Sequence, residues 1–273
     1  MIEQISILGG HGKRNDAPDT IHRVDFRMGD VISIVGPTGS GKTTLINDIE
    51  LFADADTPTG RRILINGERP PAEFREDPAH NPIALITQHT NFLSDLPVGE
   101  FLTIHAQIRS TSDYHISALT EETLTFANQL TGEPINLVSR MTELSGGQTR
   151  ALLIADATII CNTPIVLLDE VENAGINRTK AIELLRQYRK IFIFVTHDPR
   201  IALLSDARLV MQGGRIVDLI TTDAYERQFA ATVSKLDDAL TRWRDILRMG
   251  GRLTPECLGD FRESNPLLDE VCV

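Results

Sequence analysis

Cysteine is scarce in this chain: Cys161, Cys257 and Cys272 are the three in 273 residues, and their spacing fits no metal-binding pair or disulfide framework. An odd count, with no basic-then-apolar leader, favours a reducing cytosol, and a small buried thiol is the expected role of Cys161. Long apolar runs are missing too. No stretch approaches the ~18 residues of a spanning helix, so any membrane engagement is expected to run through another subunit. Basic residues are outnumbered 38 to 27, a formal net charge of −11, which argues against a protein built to grip nucleic acid through its phosphates. The histidines are scattered. His22, His80, His89, His105 and His115 are expected on the surface or in loops, and no transition-metal site is expected. Only His197, behind the apolar run Phe192 to Val195, sits in a chemical context.

What the chain has is a sufficient core and a distinctive loop. Apolar residues make up 41%, ordinary for a globular protein of one large domain with a subdomain or two modest ones. Val31 to Val35 reads as a strand, Leu45 and Ile46 open a helix, and between them stand Gly36, Pro37, Thr38, Gly39, Ser40, Gly41, Lys42, Thr43 and Thr44. Glycines at a strand-to-helix turn let backbone N–H groups converge on phosphate oxygens, and the helix N-terminus adds its positive dipole end. Lys42 is placed to reach the β- and γ-phosphates and the Thr43 hydroxyl to ligate Mg²⁺. Downstream, Ile165 to Leu168 is an unbroken apolar stretch of the length of a buried parallel strand, followed by Asp169 and Glu170. Asp169 is expected to hold the metal and Glu170 to polarise an attacking water.

Between these two segments lie Leu144, Ser145, Gly146, Gly147 and Gln148, ahead of an apolar helix. With all three in this order, the chain resembles the ATP-binding-cassette (ABC) ATPases from about Ile2 to Val217. The resemblance implies an α/β P-loop NTPase fold of the ABC type: a mixed central sheet, an antiparallel β subdomain and a helical subdomain, here followed by a C-terminal helical extension. It implies a nucleotide-binding domain over residues 1–220, with the helical part at about 89–150 and the extension at 221–273. ATP and Mg²⁺ are the implied ligands. Gln88 matches the family's Q-loop glutamine, sensing Mg²⁺ and the attacking water, and His197 its switch histidine, holding the γ-phosphate. The resemblance further implies a head-to-tail homodimer in which Ser145, Gly146, Gly147 and Gln148 cap the nucleotide of the partner copy, since one cassette per chain leaves the second to another.

Departures from the family pattern stand at several positions. Val171 replaces the usual proline, and Asn173, Ala174, Gly175, Ile176 and Asn177 replace the usual D-loop, so coupling between the two sites is expected to differ. No aromatic stands ready to stack on adenine; Gly9 to Asp16 offers His11, Lys13 and Arg14. Ala151 and Asp156 occupy places where many members carry basic residues.

Early runs at Ile5 to Leu8, Val24 to Phe26 and Ile63 to Ile65 are expected as antiparallel strands. Ile83 to Thr87, Ile165 to Leu168 and Ile191 to Val195 are expected as parallel ones, with a helix over Thr179 to Lys190. Between Gln88 and Leu144 the basic residues are Arg109 and Arg140 against seven acids. Phe101, Leu102, Ile104 and Ile108, then Leu119, Leu124, Phe126 and Leu130, suggest helices with a buried stripe, and the neighbourhood of Phe92 and Leu96 suggests a docking surface. In the tail, Phe229, Val233, Leu236, Leu240, Trp243 and Leu247 fall on one helical face, expected to be buried on its own domain or against a partner helix. The leading functional expectation is a cytoplasmic ATPase subunit powering a separately encoded membrane permease. Two alternatives stay open: a soluble ABC ATPase of DNA repair, translation or cofactor assembly, and a nucleotide-dependent regulatory module.

Overall fold

The computed structural model describes residues 1–12, 17–77, 80–109, 115–170, 176, 178–254 and 257. Lys13, Arg14, Cys272, Val171, and Asn173 to Gly175 with Asn177 lie outside them. The chain divides into two units, Met1–Thr221 and Thr222–Val273.

Within the first unit, the alternation of apolar runs and glycine-rich turns yields two sheets. Strands β1 (Gln4–Leu8), β2 (Arg23–Arg27) and β4 (Arg62–Ile65) form an antiparallel sheet in the order β2-β1-β4. Strands β3 (Val31–Val35), β5 (Ile83–Ile86), β6 (Ile165–Asp169), β7 (Ile191–Val195), β8 (Ala207–Gln212) and β9 (Arg215–Thr221) form the second, in the order β5-β6-β7-β3-β8-β9. It is parallel except for the β8–β9 hairpin.

Unbroken apolar strands are what a sheet covered on both faces requires. Ile32, Ile34, Ile165, Leu167, Ile191 and Ile193 pack with Leu45, Ile46 and Ile49 of α1 (Lys42–Glu50) and with the antiparallel sheet. The alternate residues Val31, Val166, Leu168, Phe192 and Phe194 pack instead with α3 (Val98–Arg109), α4 (Ile116–Leu130) and α5 (Gly146–Thr158). Each such side chain contributes about 1.5–3 kcal/mol on burial. A four-residue helix, α2 (Glu73–Glu76), lies on the loop before β5.

The register then fixes the site. Ile34 pairs with Val195 and Asp169 pairs with Val195, so β6, β7 and β3 end level with one another. Their C-terminal ends carry Gly36, Glu170 and His197 to one edge of the sheet, where open α/β sheets bind ligands.

Two expectations are corrected. The helix placed over Thr179 to Lys190 is α6 (Arg178–Leu185) and stops five residues early. Gln187 and Tyr188 donate to the carbonyls three residues back, and buried Lys190 anchors the reversal by donating to Asn162 Oδ1 at 2.6 Å and Thr163 O at 3.0 Å. On α3, Ile104 is 40% and Ile108 73% exposed, because the inward row is Val98, Leu102 and Ala106, spaced by four. Phe92 packs edge-on against Phe101 with ring centres 5.0 Å apart, so it supports the core, and the neighbouring Leu93 is the exposed side chain. A short helix α7 (Pro199–Leu204), capped by Asp198, precedes β8.

The second unit contains α8 (Ala224–Arg248), started by Asp223, whose carboxylate accepts from the Glu226 N–H at 2.8 Å. Val233, Leu236 and Trp243 are half-buried, but Phe229, Leu240 and Leu247 are exposed.

Candidate active site

The loop from Gly36 to Gly41 takes its form from backbone geometry that side chains would obstruct. Gly39 and Gly41 have φ of 78° and 98°. A Cβ on Gly36 would meet Met211 O at 2.2 Å, and one on Gly41 would meet Gly214 Cα at 2.9 Å. The Ser40 carbonyl accepts from the Gly214 N–H at 2.9 Å, tying the loop to the β8–β9 turn. Lys42 is buried and its Nζ donates to Gly36 O at 2.9 Å and Pro37 O at 3.3 Å, held at the centre of the loop. The first turn of α1 has neither a side-chain cap nor an acidic residue, which leaves its N–H groups and dipole to an anion. Ser40 Oγ is buried without a hydrogen-bond partner among the described residues. A phosphate group fits all of this.

This loop forms one wall of a cleft of about 720 Å³, within the range of small-molecule sites. Thr38, Gly39, Gly41, Lys42, Thr43 and Thr44 line it on one side and Glu170, Val195 and His197 on the other. Glu170 has φ of 50°, and its N–H donates to Val195 O at 3.0 Å. That bond turns the side chain off the end of β6 toward β7. Glu170 Oε1 and His197 Nε2 stand 3.4 Å apart, both partly open to solvent. A carboxylate and an imidazole facing a phosphate cradle across a cleft are suited to proton handling at a transferring phosphoryl group.

Other expected site residues do not line this cleft themselves. Asp169 ends β6 outside its lining. Gln88 is also outside it, and its carbonyl accepts from Arg150 Nη2 of α5 at 2.7 Å. Ser145 to Gln148 form the start of α5, closed by a reciprocal cap in which Ser145 Oγ accepts from Gln148 N–H and Gln148 Oε1 from Ser145 N–H. They too lie outside the lining. His11 is half-buried beside Gly60 and is not among the residues that line the cleft.

Against known proteins, the family model described as ABC transporter matches residues 21–173. An uncharacterised ABC transporter ATP-binding protein of Methanocaldococcus jannaschii is 45% identical over 255 residues, covering 93% of this chain and 96% of that protein. The chain belongs to the ABC transporter family. Solved structures under 25% identical agree on the fold. The cbiO1 protein of Clostridium perfringens, part of an ABC transporter complex, has a TM-score of 0.63 at 19% identity, covering 92% of this chain and all of that one. A dimeric ATP-binding cassette in a post-hydrolysis state with ADP and Pi has a TM-score of 0.60 at 22% identity, covering 81% of this chain and 99% of that one. The chain is thus an ABC-type ATPase, and among its described residues no helix is long and apolar enough to cross a membrane.

Two features of this ABC ATPase escaped the sequence reading. Gly213 and Gly214 line the cleft; the signal in the sequence was the Gly-Gly pair, and both residues have positive φ. Behind them, Arg61 is fully buried. It donates to both carboxylate oxygens of Asp19 at 2.9 Å, to Asp48 Oδ2 at 3.2 Å and to Gly214 O at 2.9 Å. His105, expected at the surface, is instead half-buried against Asp156, and Cys161 is half-buried beside both.

Proposed function

We propose that this ABC ATPase binds MgATP in the cleft, pairs head to tail with a second copy, and powers a separately encoded membrane permease from the cytoplasmic side. Residues 1–220 are the nucleotide-binding domain, with its helical part at about 89–150, and 221–273 the helical extension. Gly36 to Thr44 hold the phosphates, with Lys42 Nζ leaving its own loop carbonyls for phosphate oxygens. Thr43, Asp169 and Gln88 would hold Mg²⁺, which would neutralise phosphate charge. Glu170 takes the proton of the attacking water, and His197 donates to the departing phosphoryl group.

The observation that carries the pairing is that Ser145 to Gln148 lie outside their own chain's cleft. The Gly146 and Gly147 amides open α5, where N–H groups lack intrahelical partners, and they meet a phosphate when presented by a second copy. The dimeric cassette with ADP and Pi and the name of the Methanocaldococcus relative support the same reading. A Lys42→Ala variant should bind ATP about 10–100-fold more weakly, since one charge-assisted bond is worth about 1.5–3 kcal/mol. Titration with a fluorescent ATP analogue reads this directly, and unchanged affinity removes Lys42 from the site.

Permease docking is assigned to the surface around the exposed apolar side chain Leu93, next to Phe92. A Leu93→Asp variant should keep its ATP affinity and lose at least about tenfold in affinity for the permease with which the parent co-purifies from membranes. Equal recovery of that permease rules this surface out.

A further inference from the structure

His105 of α3, Asp156 of α5 and Cys161 just beyond α5 bring a nitrogen, an oxygen and a sulfur together, with ligand atoms within 4.8 Å of one another. Nothing in the nucleotide site uses them. Asp156 is a carboxylate in a helix stretch otherwise built of Leu152, Ile154, Ala155 and Ala157, all buried. Burying such a charge costs several kcal/mol unless it is matched. Asp156 Oδ1 lies 2.8 Å from His105 Nδ1, and its Oδ2 accepts from the Cys161 thiol at 3.6 Å. The Nδ1 bond to a carboxylate makes Nδ1 the protonated ring nitrogen. The Nε2 lone pair is then left toward Cys161 Sγ, 4.0 Å away.

A carboxylate on one imidazole nitrogen, with a thiol near the other, is the arrangement that orients a metal-binding histidine. Tetrahedral zinc bonds of about 2.0–2.1 Å to nitrogen and 2.3 Å to sulfur place the two donors about 3.5 Å apart, so rotations closing about half an ångström suffice. The side chains of His105 and Asp156 are 22% and 11% exposed, which leaves a path from solvent. Mixed nitrogen and thiolate donors favour borderline-soft ions over Mg²⁺ or Ca²⁺. Burial and the Asp156 carboxylate push the Cys161 thiol up to about 12, against the opposing positive charge of Arg109 and Lys190, so the thiol keeps its proton until an ion displaces it; Lys190 is engaged by Asn162 and Thr163.

We propose that His105 Nε2 and Cys161 Sγ bind a zinc-class divalent cation, with Asp156 fixing the imidazole through Nδ1 and supplying negative charge. Solvent completes the coordination on the open side, and the thiol proton leaves to solvent as the ion binds. The ion ties α3 to the end of α5 and to the segment that leads into β6.

The test is Co²⁺ titration of the metal-free full chain without nucleotide. One equivalent should produce the near-ultraviolet thiolate-to-cobalt band. That band should vanish in Cys161→Ser, vanish or weaken at least tenfold in His105→Ala, and persist in the double variant Cys257→Ser/Cys272→Ser. Asp156→Asn should lower the affinity about 10–100-fold. Retained ATP turnover in Cys161→Ser, which touches nothing in the nucleotide cleft, certifies its fold. No band in the parent, a band that survives in Cys161→Ser, or one lost in the double variant overturns the site. Unchanged affinity in Asp156→Asn overturns the role given to the carboxylate.

Discussion

A Glu170→Gln variant is expected to hydrolyse ATP about 10²–10⁴ times more slowly than the parent, the range that a positioned general base contributes. Its affinity for ATP should stay within about twofold. The substitution changes basicity and leaves shape almost untouched. The backbone bond to Val195 O is kept, and the new side-chain amide can still meet His197 Nε2 across the present 3.4 Å. The side chain is partly solvent-exposed, so no buried charge is created or lost and folding should not suffer. With Lys42, the loop amides and the Ser145 to Gln148 segment intact, ATP still joins two copies, and the slow chemical step holds them together. A sizing column run with MgATP should therefore move most of the variant to twice the monomer mass, while the parent, which clears its nucleotide, returns to monomer. Parent-like turnover would remove Glu170 from the base role. Slow turnover without a dimer would leave the chemistry in place and overturn the pairing.

The parts of this ABC ATPase that were legible in sequence are those written in contiguous residues. Val31 to Val35 and Ile165 to Leu168 announce covered parallel strands by being apolar at nearly every position, because both faces of the sheet are buried. The glycines of the phosphate loop announce themselves because backbone approach excludes side chains there. What stayed hidden was assembled across distance. Arg61 meets Gly214 over 153 positions and His105 meets Asp156 over 51, and nothing in the local pattern of either residue marks the pairing. Helix faces were misjudged for a related reason. Ile104 and Ile108 share a row spaced by four, as do Val98, Leu102 and Ala106, and only packing decides which row turns inward.

The second large effect is expected at Arg61, where Arg61→Met should destabilise the Met1–Thr221 unit by about 3–5 kcal/mol, the usual cost of breaking a buried ion pair from one side. For a unit of this size that lowers Tm by about 6–20 °C. The guanidinium is 0% exposed, between Asp19 at 0% and Asp48 at 3%. Methionine can fill the space but leaves both carboxylates in a dry interior. The sign of the pH effect separates this account from simple loss of packing. Burial alone would raise the Asp19 carboxyl, but Arg61 and the Gly10 and Ile216 amides outweigh it and hold it below the usual carboxylate range. In the parent, that stability is present at neutral pH and is lost as pH falls through the lowered value. In the variant the burial remains while the guanidinium is gone, so Asp19 should titrate higher than in the parent. The deficit in Tm should therefore shrink as pH is lowered from 7 through the acidic range, because protonation removes the unmatched charge. A deficit that stays constant over that range would mean that Arg61 acts through shape alone. Because Arg61 also holds Gly214 O and Gly214 holds the Ser40 carbonyl, the folded variant should bind ATP more weakly at temperatures well below its Tm, tying the buried pair to the phosphate loop it supports.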